Sequence, residues 1–267
     1  MNKILIYGMG NVGRNLLSVL VTKGYKNIGL CDRKENKITA LLLDFLPYEI
    51  NLHNANNVDL SSYETLFLTV GSEYKNDRKT FLIDSKEMID TILEDIIQKG
   101  FKGNLIIISN PTDVLCSYIS IKYKNQFKNI ISTGTIIDSM RLKSITKKDV
   151  MLFGPHGRGA INYFNVDITP ERLNQALSIG YDISDLGFNS AYGIVLAALK
   201  LFEILNGDNC IFVACFYNKK EDIAFSHLLK MENGYVKSIN LDEENNNYSS
   251  LVESISIIKE ELKALQN

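Results

Sequence analysis

Tryptophan is absent from this 267-residue chain, and proline and cysteine occur only 4 times each. Four thiols (Cys31, Cys116, Cys210, Cys215) are too few to staple a chain of this length. Cys210 and Cys215 also stand too far apart for a CxxC pair, so the cysteines read as reduced, buried residues. No His/Cys cluster has the spacing of a metal site. Charge of one sign is missing as well. With 29 basic and 31 acidic residues the net charge is −2, too weak a field to hold nucleic acid or an anionic membrane. The densest apolar stretches, 105–108 and 194–199, fall far short of the ~20 residues a membrane-spanning helix needs. Met1-Asn2-Lys3 leads straight into a strand-like run, with neither a signal h-region nor a cleavage site. A cytoplasmic protein with no nucleic-acid or membrane partner is therefore expected. What is present is ordinary for a folded chain: 45% hydrophobic and 22% charged residues, which excludes bulk disorder. At about 150 residues per domain, the length suits two domains or one large α/β unit.

The first hundred residues alternate strand and helix signals, the pattern of a parallel sheet with crossover helices. Ile4-Leu5-Ile6-Tyr7 is a strand ending at Gly8. A helical pattern follows through Val12, Leu16, Leu17 and Leu20, with Gly24 as its C-terminal stop. Strands are predicted over 27–31, 65–70 and 105–108, and helices over 36–46, ended by Pro47, and over 80–98. Beyond about residue 133 the regularity fades. Strands are expected at 150–153 and, in an antiparallel sheet, at 211–216, with a helix within 186–205. Leu251, Ile255, Ile258, Leu262 and Leu265 form one apolar helical stripe, for which Ser250 and Glu253 could form a capping box.

Gly8-Met9-Gly10-Asn11-Val12-Gly13 fits the pattern G-x-G-x-x-G directly after a strand and at the opening of a helix. Gly8 would allow the tight turn, Gly10 a close approach of backbone to a pyrophosphate, and Gly13 close packing of helix on strand. The free N–H groups of the helix start, at Asn11 and Val12, would face the phosphates. Asp32 lies 19 residues beyond Gly13, at the end of the second strand, where a carboxylate can accept hydrogen bonds from the adenosine ribose. Asp32 would repel a ribose phosphate, which favours NAD over NADP, although Arg33 beside it weakens the preference. Gly71, after the third predicted strand, is expected to face the same cofactor.

Four further segments carry chemistry: Asn76-Asp77-Arg78, Ser109-Asn110-Pro111-Thr112-Asp113, Gly134-Thr135-Ile136-Ile137-Asp138-Ser139-Met140-Arg141 and Gly154-Pro155-His156-Gly157. Taken singly each has a bland reading. Arg78 could be a solvated helix-start residue, and Asp138 and Arg141 an i,i+3 ion pair. In this order behind a nucleotide-binding turn, they resemble the lactate/malate dehydrogenase family, NAD-dependent 2-hydroxy-acid dehydrogenases. The resemblance covers most of the chain and is firmest from Lys3 to Gly157. It implies a doubly wound Rossmann sheet followed by a smaller mixed α+β substrate domain, here divided at 1–133 and 134–267. By that resemblance His156 is the acid/base, a role suited to a group that titrates near neutral pH. Asp138 orients the imidazole and stabilises its protonated form. Arg141 grips the substrate carboxylate bidentately, and Arg78, on a mobile loop, polarises the reacting carbonyl. Asn110 lies near the nicotinamide and the substrate oxygen, and Asn189 falls near a position that lines the substrate pocket. A homodimer or homotetramer is implied as well, with the helix over 36–45 as a candidate contact.

The departures surround the substrate. Arg158 follows His156-Gly157 where the family usually carries an acidic residue, the chain from His156 to Ala191 is short, and the loop between Gly71 and Arg78 lacks the usual Pro-Gly. That loop holds Glu73 and Lys75 but no arginine, which favours a monocarboxylic 2-oxo acid over oxaloacetate. A malate-dehydrogenase-like activity and a non-catalytic NAD-binding sensor or scaffold are the alternatives.

Overall fold

The computed structural model describes residues 3–71, 77–188 and 191–266. Its framework is one 9-stranded sheet in the order β3-β2-β1-β4-β5-β6-β7-β8-β9. The first six strands are β1 (Ile4–Tyr7), β2 (Asn27–Cys31), β3 (Asn51–Asn54), β4 (Thr65–Leu68), β5 (Asn104–Ile107) and β6 (Asn129–Ser132). All pair in parallel. This 3-2-1-4-5-6 order reverses direction between β1 and β4, and the crevice at such a switch point is where doubly wound sheets bind ligands. β7 (Ile211–Asn218), β8 (Ile223–Glu232) and β9 (Tyr235–Ser238) continue the same sheet antiparallel from β6.

Both faces of the parallel half are buried, and side chains alternate between them. Ile4 and Ile6 join one core with Leu16, Leu17 and Leu20 of α1 (Asn11–Thr22) and with α7 (Tyr192–Leu205). Leu5, Leu66 and Leu105 join the opposite core with α3 (Arg78–Gln98), α4 (Thr112–Lys122) and α8 (Tyr248–Gln266). α2 (Glu35–Asp44) flanks the β2–β3 edge. α5 (Ile136–Thr146) and α6 (Pro170–Asp185) pack on each other around a third, small core with Leu142, Leu152 and Leu177.

The apolar stripe expected for the last helix lies wholly in the core, and Gly24 ends α1 with φ +87°. Two expectations need correcting. No strand forms over 150–153. Phe153 and Gly154 make only single bridges, to Ile161 and Ser226, because the positive φ of Gly154 and Gly157 turns the chain away from a ladder. The last helix begins at Tyr248, so Ser250 sits inside its first turn rather than at its cap.

Candidate active site

The glycine turn between β1 and α1 is shaped by close approach. Gly8 has φ +106°, and a Cβ on Gly13 would lie 2.0 Å from the Gly8 carbonyl oxygen. Only glycine permits that packing. Gly10, by contrast, has nothing within 4 Å of where its Cβ would be, so space stands open beside the N-terminus of α1. No side chain caps that terminus, which leaves the N–H groups near Asn11 and Val12 available to phosphate oxygens. Asn11 is exposed, and Val12 is half-buried against the apolar core.

Asp32 is nearly enclosed, and it reaches the same turn. Its Oδ2 accepts the Met9 N–H at 2.7 Å and its Oδ1 the Lys34 N–H at 2.8 Å, with Lys37 Nζ at 3.4 Å. Burial works against the charge of Asp32, but the two backbone donors and Lys37 outweigh it and hold the carboxyl below its usual range. Gly71 and Asn110 are exposed at the carboxyl ends of β4 and β5, and Asn110 Oδ1 accepts the Thr112 N–H at 3.3 Å. An open glycine cradle, an ionised acid at the end of β2 and a switch-point crevice fit a dinucleotide.

Further along the sheet edge, the chain brings Asp138, Arg141 and His156 together. Asp138 is fully buried in the first turn of α5. A carboxylate only accepts hydrogen bonds, so His156 Nδ1 donates to Asp138 Oδ2, at 2.7 Å. The Gly157 N–H donates to the same oxygen at 3.1 Å. The imidazole therefore keeps Nε2 for another partner. Burial disfavours the imidazolium, yet the bond and charge of Asp138, helped by Asp113, raise the His156 pKa above the ordinary histidine value. Arg141 Nη1 stands 3.6 Å from Asp138 Oδ1, one turn along α5, and its guanidinium borders Gly180 of α6. The i,i+3 ion pair thus coexists with the bond between Asp138 and His156.

Arg78 is placed differently. It opens α3 behind Asp77, whose carboxylate accepts the Lys79 and Thr80 N–H groups. Its guanidinium forks onto Glu261 of α8, Nε to Oε1 at 2.8 Å and Nη2 to Oε2 at 2.9 Å, rather than onto the Asp138–His156 pair. Asn76 and Asn189 lie outside the described residues.

The motifs contain Asp113 and Thr135 but do not show what those residues touch, and Ser226 lies outside them. Asp113 Oδ2 accepts the His156 backbone N–H at 2.9 Å, so two buried carboxylates grip the histidine, one by its ring and one by its backbone. Burial raises the Asp113 pKa, and its Oδ1 has no hydrogen-bond partner. Ser226 on β8 joins the segments that carry Asp138 and His156. Its backbone pairs with Gly154 in both directions, and its Oγ accepts the Thr135 N–H at 2.9 Å. A Cβ on Gly134 would collide with that Oγ. The Thr135 hydroxyl in turn donates to the Leu152 carbonyl. Among the described residues, no group of three or more His, Cys, Asp or Glu residues is placed to hold a metal, and no helix is long and apolar enough to cross a membrane.

No family model matches the chain. It is 28% identical to an L-lactate dehydrogenase of Fusobacterium nucleatum over 180 residues, a match covering 61% of this chain and 57% of that enzyme's length. It is 24% identical to a malate dehydrogenase of Aliarcobacter butzleri, with 98% of this chain and 96% of the relative covered. The fold superposes on a minor L-lactate dehydrogenase of Enterococcus mundtii with a TM-score of 0.86 at 18% identity, over 99% and 98% of the two chains. The chain is thus similar in sequence to both lactate and malate dehydrogenases, and it shares their fold.

Proposed function

We propose that this chain is an NAD(H)-dependent oxidoreductase that interconverts 2-oxo and 2-hydroxy acids. The observation that carries the reading is the buried Asp138 bonded to His156 Nδ1, with Arg141 one helical turn away. Reducing a ketone needs a proton for the oxygen that becomes an alkoxide, and a histidine whose protonated form Asp138 favours can deliver it from Nε2. Asp138 fixes the ring orientation and balances the imidazolium charge. Arg141 offers a planar fork for the substrate carboxylate, which would set the carbonyl oxygen against Nε2. Asn110, at the end of β5, stands between this cluster and the glycine cradle. The cofactor, when bound there, supplies the hydride. For Arg78 to polarise the carbonyl, Glu261 must release it.

That engaged arginine favours a second reading, a protein that binds the dinucleotide but does not turn substrate over. One experiment decides between the two: NADH oxidation, followed by absorbance, against a panel of 2-oxo acids. Turnover is expected, and His156→Ala should lower it by about 10² to 10⁴ while NADH binding stays nearly intact. NADH binding without turnover of any 2-oxo acid would leave only the sensor reading. The exposed apolar side chains of Leu43, Leu46 and Tyr48 on and after α2 support a homodimer or homotetramer.

A further inference from the structure

Glu261 stands in the later half of α8 and takes one whole edge of the Arg78 guanidinium. Nε and Nη2 each donate to a different carboxylate oxygen, at 2.8 and 2.9 Å, a fork that fixes direction as well as distance. The same guanidinium lies 5.7 Å over the Phe81 ring, so it is braced from two sides. Two turns earlier, α8 borders the His156 segment, where a Cβ on Gly154 would meet Ser254 Oγ at 3.0 Å. Positions 254 and 261 share one face of the helix and lie about 10 Å apart along its axis. One helix thus touches the segment of the proton donor and, further along, anchors Arg78. While the fork is closed, that edge of the guanidinium is not available to a substrate oxygen.

Both partners keep contact with solvent, with 46% of the Arg78 side chain and 22% of the Glu261 side chain exposed. Water weakens such a pair, so it can hold a resting population without locking it. We propose, resting on the 2-oxo acid reading above, that Glu261 is an autoinhibitory contact that holds Arg78 on α8 until a substrate displaces it. The displacing group is the carbonyl oxygen, which gains negative charge as hydride arrives and competes with the carboxylate for the guanidinium. Turnover then draws only on molecules whose fork is open, and the apparent rate falls with the closed fraction. A second bond joins α8 to α3 without touching Arg78, from Lys86 Nζ to the Leu265 carbonyl at 2.8 Å. It supplies a control for general loosening of the helix.

The test is kcat/KM in the wild type, Glu261→Ala and Lys86→Gln. Pyruvate and oxaloacetate both serve, since Glu73 and Lys75, on which the expectation of a monocarboxylic acid rests, lie outside the described residues. Glu261→Ala should raise kcat/KM by about three- to tenfold, as for release of a forked, half-exposed pair, while Lys86→Gln stays within about twofold of wild type. No rise in Glu261→Ala, or an equal rise in Lys86→Gln, overturns the inference. Glu261→Gln carries the same test if the alanine variant does not fold. If none of the proteins turns over either acid, the 2-oxo acid reading fails, and labelling of Arg78 by phenylglyoxal, followed by peptide mass spectrometry, still decides the contact. Faster labelling in Glu261→Ala than in wild type upholds it; equal labelling sinks it.

Discussion

His227 lies on β8 with no exposed surface. Its Nδ1 donates to the Phe225 carbonyl at 2.9 Å, so its Nε2 accepts from Ser238 Oγ, also at 2.9 Å. Both ring nitrogens are satisfied in the neutral form. Burial pushes its pKa down from 6.5 to about 4. In the unfolded chain the ring would titrate near 6.5, so between those values the unfolded state binds a proton that the folded state refuses. Stability is therefore complete above about 6.5 and falls as pH drops toward 4. The separation of the two values amounts to about 3 kcal/mol, a substantial part of a typical domain's stability. His227→Gln removes the titration. Urea midpoints and slopes, measured for both proteins at about pH 7.5 and pH 4, give the difference in stability between them at each pH. That difference should move by about 2 to 3 kcal/mol in favour of the variant on acidification. A difference that does not change with pH would show that the folded state accepts the proton, and the reasoning would fail.

Three other predictions bear on the site. In wild type the proton-donating form of His156 persists above the ordinary histidine range, so ketone reduction is lost only as pH rises through that raised value. Asp138→Asn should move this alkaline limb to lower pH and reduce kcat; a limb that stays in place would show that Asp138 does not hold the proton. NADH should bind at least about tenfold more tightly than NADPH, given the Coulomb cost of a phosphate beside ionised Asp32. Gly13→Ala should weaken both cofactors, because its Cβ would have to displace the Gly8 carbonyl. Equal affinity for the two cofactors in calorimetry would show that Arg33 and Lys37 dominate over Asp32.

Short-range signals were legible in the sequence. β1 and β2 announce themselves as apolar runs, and α8 as a stripe at helical spacing. β3 was not visible, because Asn51–Asn54 is a polar edge strand with only Leu52 reaching the core. α5 hid because it is buried among other elements at its first turn and has no one-sided apolar face. The glycine turn, Asp32, Asp138, Arg141 and His156 were all found from motif order, and the structure brings the last three together. What the motifs could not reveal was long-range. Ser226 meets Thr135 from 91 residues away, and Asp113 meets His156 from 43. The fork of Arg78 onto Glu261 spans 183 residues. No local pattern encodes such pairings; they exist only once the sheet is assembled.

The uninterrupted sheet has a thermodynamic consequence. A chain ended after residue 133 would bare the edge of β6 where Ile131 and Ser132 pair with Phe216 and Cys215. It would also strip both cores of their α7 and α8 side chains. Neither half then has a finished interior of its own, so the halves should melt as one cooperative unit rather than in two steps. Ser226, in the middle of that shared lattice, ties the geometry of the Asp138–His156 pair to global folding. Fraying of the first or last residues alone would leave the bond between Asp138 and His156 in place, because Ser226 holds both of their segments.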